Sequence, residues 1–240
     1  PSRRFCVGPG EYISMEVQYS YENNIITLDG PAGSGKSTIA RLVAERLGYE
    51  FLDTGALYRG VTYFLFTRSI EPSETGRIAE ALKECVVSFE AGKVFVDGKD
   101  VSKKIRSPEI DRFVSAYSAL PVVRNFLLET QRRAAAGRMI VAEGRDMGSV
   151  VFPEAPFKFY LDARPYVRAA RRWKELEARG EKLTLEEVER QLQRRDNLDS
   201  GRALSPLRVP EKAHIIDTSE KTIHEVVDEI MAIMAGRKDP

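Results

Sequence analysis

From residue 25 onward, apolar positions fall into short, nearly unbroken runs, separated by longer stretches in which they recur every three or four residues. Ile25-Ile26-Thr27-Leu28 is such a run, the mark of a strand buried on both faces of a parallel sheet. Tyr49 to Leu52, Arg138 to Ala142, Phe157 to Leu161 and Ala213 to Ile216 repeat it. Ser37 to Leu47 carries Ile39, Leu42, Val43 and Leu47 at helical spacing and stops at Gly48, a helix with its terminator. The same spacing predicts helices over Ala56 to Thr67, Val122 to Ala136, Tyr166 to Glu177, Leu185 to Asp196 and Thr222 to Met234. Strands alternating with helices predict an α/β fold, a doubly wound parallel sheet flanked by helices.

Two stretches break the rhythm. Val86 to Glu90 and Lys93 to Val96 are strand-like, with Ala91-Gly92 between them and Asp97-Gly98 after them. Strands joined this closely pair antiparallel, which predicts an insertion of about 35 residues carrying a small antiparallel sheet. Residues 1–24 contain the turn-rich Pro1-Ser2-Arg3-Arg4 and Gly8-Pro9-Gly10 and show no period, and Met15 stands ten residues before the first strand. They are expected to form a poorly ordered extension ahead of a single domain over 25–236.

Composition narrows the function classes. The chain has 240 residues, 37 basic and 36 acidic side chains and a net charge of +1, which argues against a dedicated nucleic-acid binder. Cys6 and Cys85 are too few and too far apart for a disulfide framework or a metal cluster, and read as two reduced thiols of a cytoplasmic protein. No apolar run approaches the ~18 residues of a membrane span. A monomer with neither nucleic-acid nor membrane partners is expected. His214 and His224 lack metal-ligand or triad spacing and read as structural or surface groups.

Between the first strand and its helix lies Gly30-Pro31-Ala32-Gly33-Ser34-Gly35-Lys36-Ser37, followed by Thr38. This satisfies G-x-x-x-x-G-K-[ST] in the strand–turn–helix setting that the motif requires. Glycines let successive backbone N–H groups point at phosphate oxygens, and the helix adds its positive end. Lys36 can reach the β- and γ-phosphates, and the Ser37 hydroxyl can ligate Mg²⁺. The string predicts a nucleoside-triphosphate site but does not name the reaction.

Two further strings follow strand ends, where open α/β sheets bind ligands: Asp53-Thr54-Gly55-Ala56-Leu57-Tyr58-Arg59 and Glu143-Gly144-Arg145-Asp146-Met147-Gly148. Asp53 can simply cap the next helix, but Arg59, one turn in, has no evident structural duty. A dense series comprises Arg164, Arg168, Arg171, Arg172, Arg194, Arg195, Asp196, Asp199 and Arg202, ahead of Ser205-Pro206-Leu207. Spacings of three and four place the first four arginines near one helical face. With a triphosphate loop present, they read better as a mobile lid that gathers guanidinium groups around a transferring phosphoryl than as a solvated surface or an RNA-binding face.

Together these strings resemble the bacterial cytidylate kinases, from about Ile25 to Ala235. The resemblance implies a P-loop NTPase-type parallel sheet flanked by helices, with a monophosphate-binding insertion at about 67–106 and an Arg-rich lid at about 164–205. It implies transfer of the ATP γ-phosphoryl to CMP or dCMP with Mg²⁺. It further implies catalytic roles for Lys36, Arg145, Arg195 and Arg202, and donor contacts from Gly30 through Thr38 and from Arg171 and Arg172. Thr54, Tyr58 and Arg59 would line the CMP site, Ser115, Arg124 and Asp146 would read the cytosine, and Asp199 would meet the ribose. Arg145, Arg195 and Arg202 would meet phosphates. Glu143 and Thr54 stand where Asp and Ser are more usual in that family. The competing readings are a P-loop kinase of another monophosphate or metabolite and, from a different class, a nucleotide-dependent RNA-binding switch.

Overall fold

The computed structural model describes residues 24–236, so Cys6 and all but the last residue of the expected extension lie outside the described part. Five strands form one parallel sheet: β1 Ile25–Asp29, β2 Glu50–Asp53, β6 Ile140–Gly144, β7 Phe157–Asp162 and β8 His214–Asp217, in the order β2-β6-β1-β7-β8. The central strand shows why the apolar run is unbroken. Ile25 packs into the cluster on one face, while Ile26 and Leu28 pack into the cluster on the other. On that second face lie α1 Lys36–Leu47 and α8 Ile223–Gly236, burying Ile39, Val43, Val227 and Ile230. On the first lie α2 Thr54–Phe66 and α5 Pro121–Ala135, burying Leu57, Phe64 and Leu127.

Between α2 and α5 the chain forms α3 Thr75–Lys83, the antiparallel strands β3 Val87–Glu90, β4 Lys93–Val96 and β5 Lys99–Asp100, and α4 Pro108–Ser118. Ala91 and Gly92 both adopt positive φ, as do Asp97 and Gly98, the backbone that tight hairpins require. The small sheet lies against α2 at Gly60, where a Cβ would come within 3.0 Å of Val94. The periodicity left α3 and α4 unassigned. The latter starts at Ser107-Pro108, with Ser107 as its cap and proline in its first turn, a boundary signal that was present but weak.

The chain then forms α6 Pro165–Ala178 and α7 Leu185–Gly201, longer at its end than the expected Leu185 to Asp196. These two helices enclose a separate apolar cluster of Ala169, Leu176, Val188 and Leu192 with Trp173, and that cluster meets the phosphate-loop region at Ala32. Among the described residues no helix is long and apolar enough to cross a membrane.

Candidate active site

The glycine-rich loop follows β1 directly. Gly30, Gly33 and Gly35 have φ of 146°, 78° and 88°, and a Cβ on Gly30 would fall 2.0 Å from the Leu161 carbonyl oxygen. No other residue fits there. Gly35 ends the loop as a left-handed cap with no side-chain partner for the free N–H groups of α1, which leaves them available to an anion. Lys36 is 5% exposed and donates from Nζ to the Pro31 carbonyl at 2.6 Å. Burial, and then the neighbouring Arg145 guanidinium, lowers its amine to about 7. Ser37 and Thr38 are exposed at the start of α1.

Three flanking strand ends complete this corner. Asp29 is fully buried and accepts the backbone N–H groups of Met147 at 2.8 Å and Gly148 at 2.7 Å, so the end of β1 holds the segment after β6. Burial pushes its carboxyl up to about 7. Glu143, at the end of β6, accepts from Ser37 Oγ at 2.7 Å, and burial, then Asp53, raises its carboxyl. Thr54 donates to the Glu143 carbonyl at 2.7 Å. Asp53 does cap α2, through the Ala56 N–H at 2.8 Å, and its other oxygen accepts from Arg106 at 2.7 Å.

Beside this corner opens a cleft lined by Thr54, Tyr58, Arg124 and Asp146, together with Arg145, Arg195, Asp199 and Arg202. Eight of the expected site residues, dispersed over some 150 positions of sequence, therefore share one wall. Arg124 Nη2 lies 2.5 Å from Asp146 Oδ2, each side chain 4% exposed, and its guanidinium lies 5.2 Å from the Tyr58 ring centroid. Burial, then Asp146, raises the Tyr58 hydroxyl. Arg145 Nε donates to Asp199 Oδ2 at 2.9 Å, Arg202 Nη1 donates to Asp199 Oδ1 at 3.2 Å, and Arg195 lies 4.0 Å from the same carboxylate. Burial alone would raise Asp199, but Arg145, Arg195 and Arg202 outweigh it and hold the carboxyl below its ordinary value. The Nε atoms of Arg124 and Arg195 and the Nη2 atom of Arg202 are buried without a hydrogen-bond partner. Orphaned donors are costly in a folded core, and a cluster of cationic ones suits an anion with several oxygens.

Other expected residues take different positions. Arg59 is buried behind the cleft, with Nη2 2.5 Å from Asp111 Oδ1, so it does have a structural partner. On α4 the residues lining the cleft are Val114 and Ser118, with Ser115 half-buried beside them. The arginines of the α6 series reach different partners. Arg168 turns inward and donates to the Ala32 carbonyl at 3.1 Å and to Asp196 at 2.5 Å, bracing the loop from behind. Arg171 donates to Thr218, whose hydroxyl bonds the Ser34 carbonyl of the same loop. Arg172 points the other way, to Asp111 and Glu175. Arg171 and Arg172, about 100° apart around α6, thus reach partners on different elements. Asp29, Asp111 and Thr218 were not expected at the site, and Arg168, expected among arginines gathered around a phosphoryl group, braces the loop instead. Each acts across long sequence separations, and only the residues flanking a motif hint at them, as Asp29 does by preceding Gly30.

A family model described as cytidylate kinase matches residues 26–236. A cytidylate kinase of Caldanaerobacter subterraneus subsp. tengcongensis is 45% identical over 205 residues, covering 85% of this chain and 92% of the relative. Those of Thermotoga sp. (strain RQ2) and Clostridium tetani are 45% and 40% identical, each covering 88% of this chain and 97% and 93% of their own lengths. Among solved structures, a gluconokinase from Sinorhizobium meliloti 1021 overlays with a TM-score of 0.47 at 17% identity, covering 90% of this chain and 93% of its own.

Proposed function

The chain belongs to the cytidylate kinase family, and from that membership we infer that it transfers the γ-phosphoryl group of ATP to CMP, with dCMP as a second acceptor. The observation that carries the reading to this chain's own residues is the cleft in which four guanidinium groups, three with buried unpartnered nitrogens, meet the carboxylates of Glu143, Asp146 and Asp199 beside a glycine-lined loop.

In this reading the loop N–H groups and Lys36 hold the donor's β- and γ-phosphates, and Arg171, fixed to Thr218 beside the loop, belongs to the donor side. An oxygen of the acceptor's monophosphate attacks the γ-phosphorus. The bond from that phosphorus to the β-bridging oxygen breaks, and its electron pair leaves with ADP. A monophosphate oxygen is already an adequate nucleophile, so no residue is needed as a strong base. Catalysis is positioning plus charge stabilisation by Lys36, Arg145, Arg195 and Arg202. Arg59 serves the acceptor phosphate, and Thr54, Tyr58 and Ser115 the acceptor pocket, with Asp199 serving the ribose. Cytosine offers an amino donor beside ring-nitrogen and carbonyl acceptors, which matches the carboxylate and guanidinium of Asp146 and Arg124. Uracil lacks the amino donor and leaves a reading carboxylate unpaired.

A magnesium ion fits the donor corner. Ser37 Oγ and the Glu143 carboxylate lie 2.7 Å apart, a hard-oxygen pair of the kind that holds Mg²⁺ jointly with substrate phosphates rather than in an all-protein cage. Bound there, the ion would neutralise charge developing on the β- and γ-oxygens. The α6–α7 hairpin, with its own apolar cluster, is proposed as the lid, and a cytoplasmic monomer as the working form.

The deciding experiment is a coupled ADP assay with CMP, dCMP, UMP, AMP and GMP. CMP and dCMP should be turned over well ahead of the purine nucleotides. Equal rates with AMP or GMP would overturn the assignment of the acceptor.

A further inference from the structure

Asp111 stands in the first turn of α4 and faces guanidinium groups from two other parts of the fold. Its Oδ1 lies 2.5 Å from Arg59 Nη2 on α2. Its Oδ2 lies 3.2 Å from Arg172 Nη2 on α6 and 3.9 Å from Arg179 Nη1 just past the end of α6. It does not cap its own helix, a duty met by Ser107. Arg59 has little else to anchor it. Its Nη1 donates to the Ile105 carbonyl at 3.3 Å, and Arg106 and Arg172 oppose its charge. Removing Asp111 would leave mutually repelling guanidiniums around a buried one.

Among the described residues, Asp111–Arg172 and Asp111–Arg179 are the ion pairs that join α4 to the α6–α7 hairpin. The hairpin keeps its own apolar cluster, so its tie to α4 rests in good part on charge. Pairs of this kind, with Asp111 20% exposed, form and break more readily than packed apolar surface does.

We propose that Asp111 is a positioning residue that aims Arg59 at the acceptor's phosphate and fastens the α6–α7 hairpin to α4, so that acceptor binding and hairpin closure are one event. The carboxylate takes Nη2 of Arg59 while the Ile105 carbonyl takes Nη1, and the two contacts together fix the plane of the guanidinium. This inference rests on the reading of Arg59 as an acceptor-phosphate group.

The test uses Asp111→Asn in the full chain. Asn keeps the side-chain volume but removes the charge. The KM for CMP should rise about tenfold, the loss expected for a charge-assisted contact, while the KM for ATP stays within about twofold and kcat falls less than the CMP KM rises. Trp173, the only tryptophan, neighbours Arg172 on α6 and donates to the Leu183 carbonyl at 2.8 Å, so its fluorescence reports the hairpin. In the Asn variant its response to CMP should move to about tenfold higher CMP. Arg179→Ala should shift it in the same direction by less, and Asp111→Glu should recover part of the loss. An Asn variant with the parental CMP KM and fluorescence response would overturn the proposal. So would equal rises in both KM values with a lowered thermal midpoint, the signature of a purely structural residue. A parent chain that forms no CDP overturns the functional reading and this inference with it, whereas a parent that forms CDP beside an unchanged Asn variant overturns this inference alone.

Discussion

Replacing Asp146 with Ala strands a buried cation. The Arg124 guanidinium would keep the Ser118 carbonyl at 3.1 Å and the face of Tyr58, but it would lose the carboxylate at 2.5 Å, and its Nε already lacks a partner. Orphaning one member of a buried ion pair costs about 3–5 kcal/mol. In a domain of this size each kcal/mol moves the thermal midpoint by about 2–4 °C. Asp146→Ala should therefore melt roughly 6–20 °C below the parent. A second variant, Asp146→Ala with Arg124→Met, removes both charges and keeps most of the buried stem, so it should recover most of that loss, since apolar replacement of a buried pair is often neutral or better. Stability and recognition then separate. If the pair reads cytosine, the restored double variant still shows a CMP KM at least about tenfold above the parent, with the ATP KM within about twofold. Thermal melting and the coupled ADP assay give both quantities. A single variant melting within about 2 °C of the parent would show that the pair carries little stability, and a double variant with the parental CMP KM would show that it does not read cytosine.

Other outcomes follow from the same geometry. Lys36→Met should cut kcat by about 10³-fold or more with the melting midpoint little changed, and near-parental turnover would remove Lys36 from the mechanism. Because the free Lys36 amine sits at about 7 and a triphosphate favours its charged form, ATP binding at pH 8 should take up close to one proton. Calorimetry in two buffers of different ionisation enthalpy measures this, and the uptake should vanish in Lys36→Met. The same group makes the ligand-free protein gain stability as pH rises from about 7 toward its unfolded value of 10.5, since across that window the unfolded chain binds the extra proton. Gly30→Ala should fail to give a stable fold, because the added Cβ meets the Leu161 carbonyl at 2.0 Å, beyond the about 1–3 kcal/mol of ordinary backbone strain. A well-folded, active Ala variant would contradict the loop geometry.

The parallel sheet was legible because burial on both faces leaves unbroken apolar runs, and Ile25 to Leu28 shows the sign plainly. The phosphate loop was legible because its chemistry is local: backbone turns, a lysine and a helix start within eight residues. The arginine series was legible by residue type but not by the partners each side chain takes. Spacing alone put Arg164, Arg168, Arg171 and Arg172 near one face, while the fold sends Arg168 to the back of the loop, Arg171 to Thr218 and Arg172 to Asp111. What chooses among these directions is the position of carbonyls and carboxylates on other elements, which periodicity does not encode. Asp29 and Asp111 were missed for the same reason. A carboxylate whose partners lie 118 residues away, as Met147 does from Asp29, looks in sequence like any other acid. The helices α3 and α4 went unassigned although each carries a clear apolar stripe, Ile78 and Leu82 in α3 and Ile110, Val114 and Tyr117 in α4, because those stripes run over only 9 and 11 residues.

If the loop and the arginine cleft bring a donor and a cytidine nucleotide together, the phosphoryl group passes directly from one to the other. Phosphorus NMR of the purified chain with ATP, CMP and magnesium reads this most directly. ADP and CDP should appear in equal amounts with no inorganic phosphate. ADP accompanied by inorganic phosphate and no CDP would contradict it.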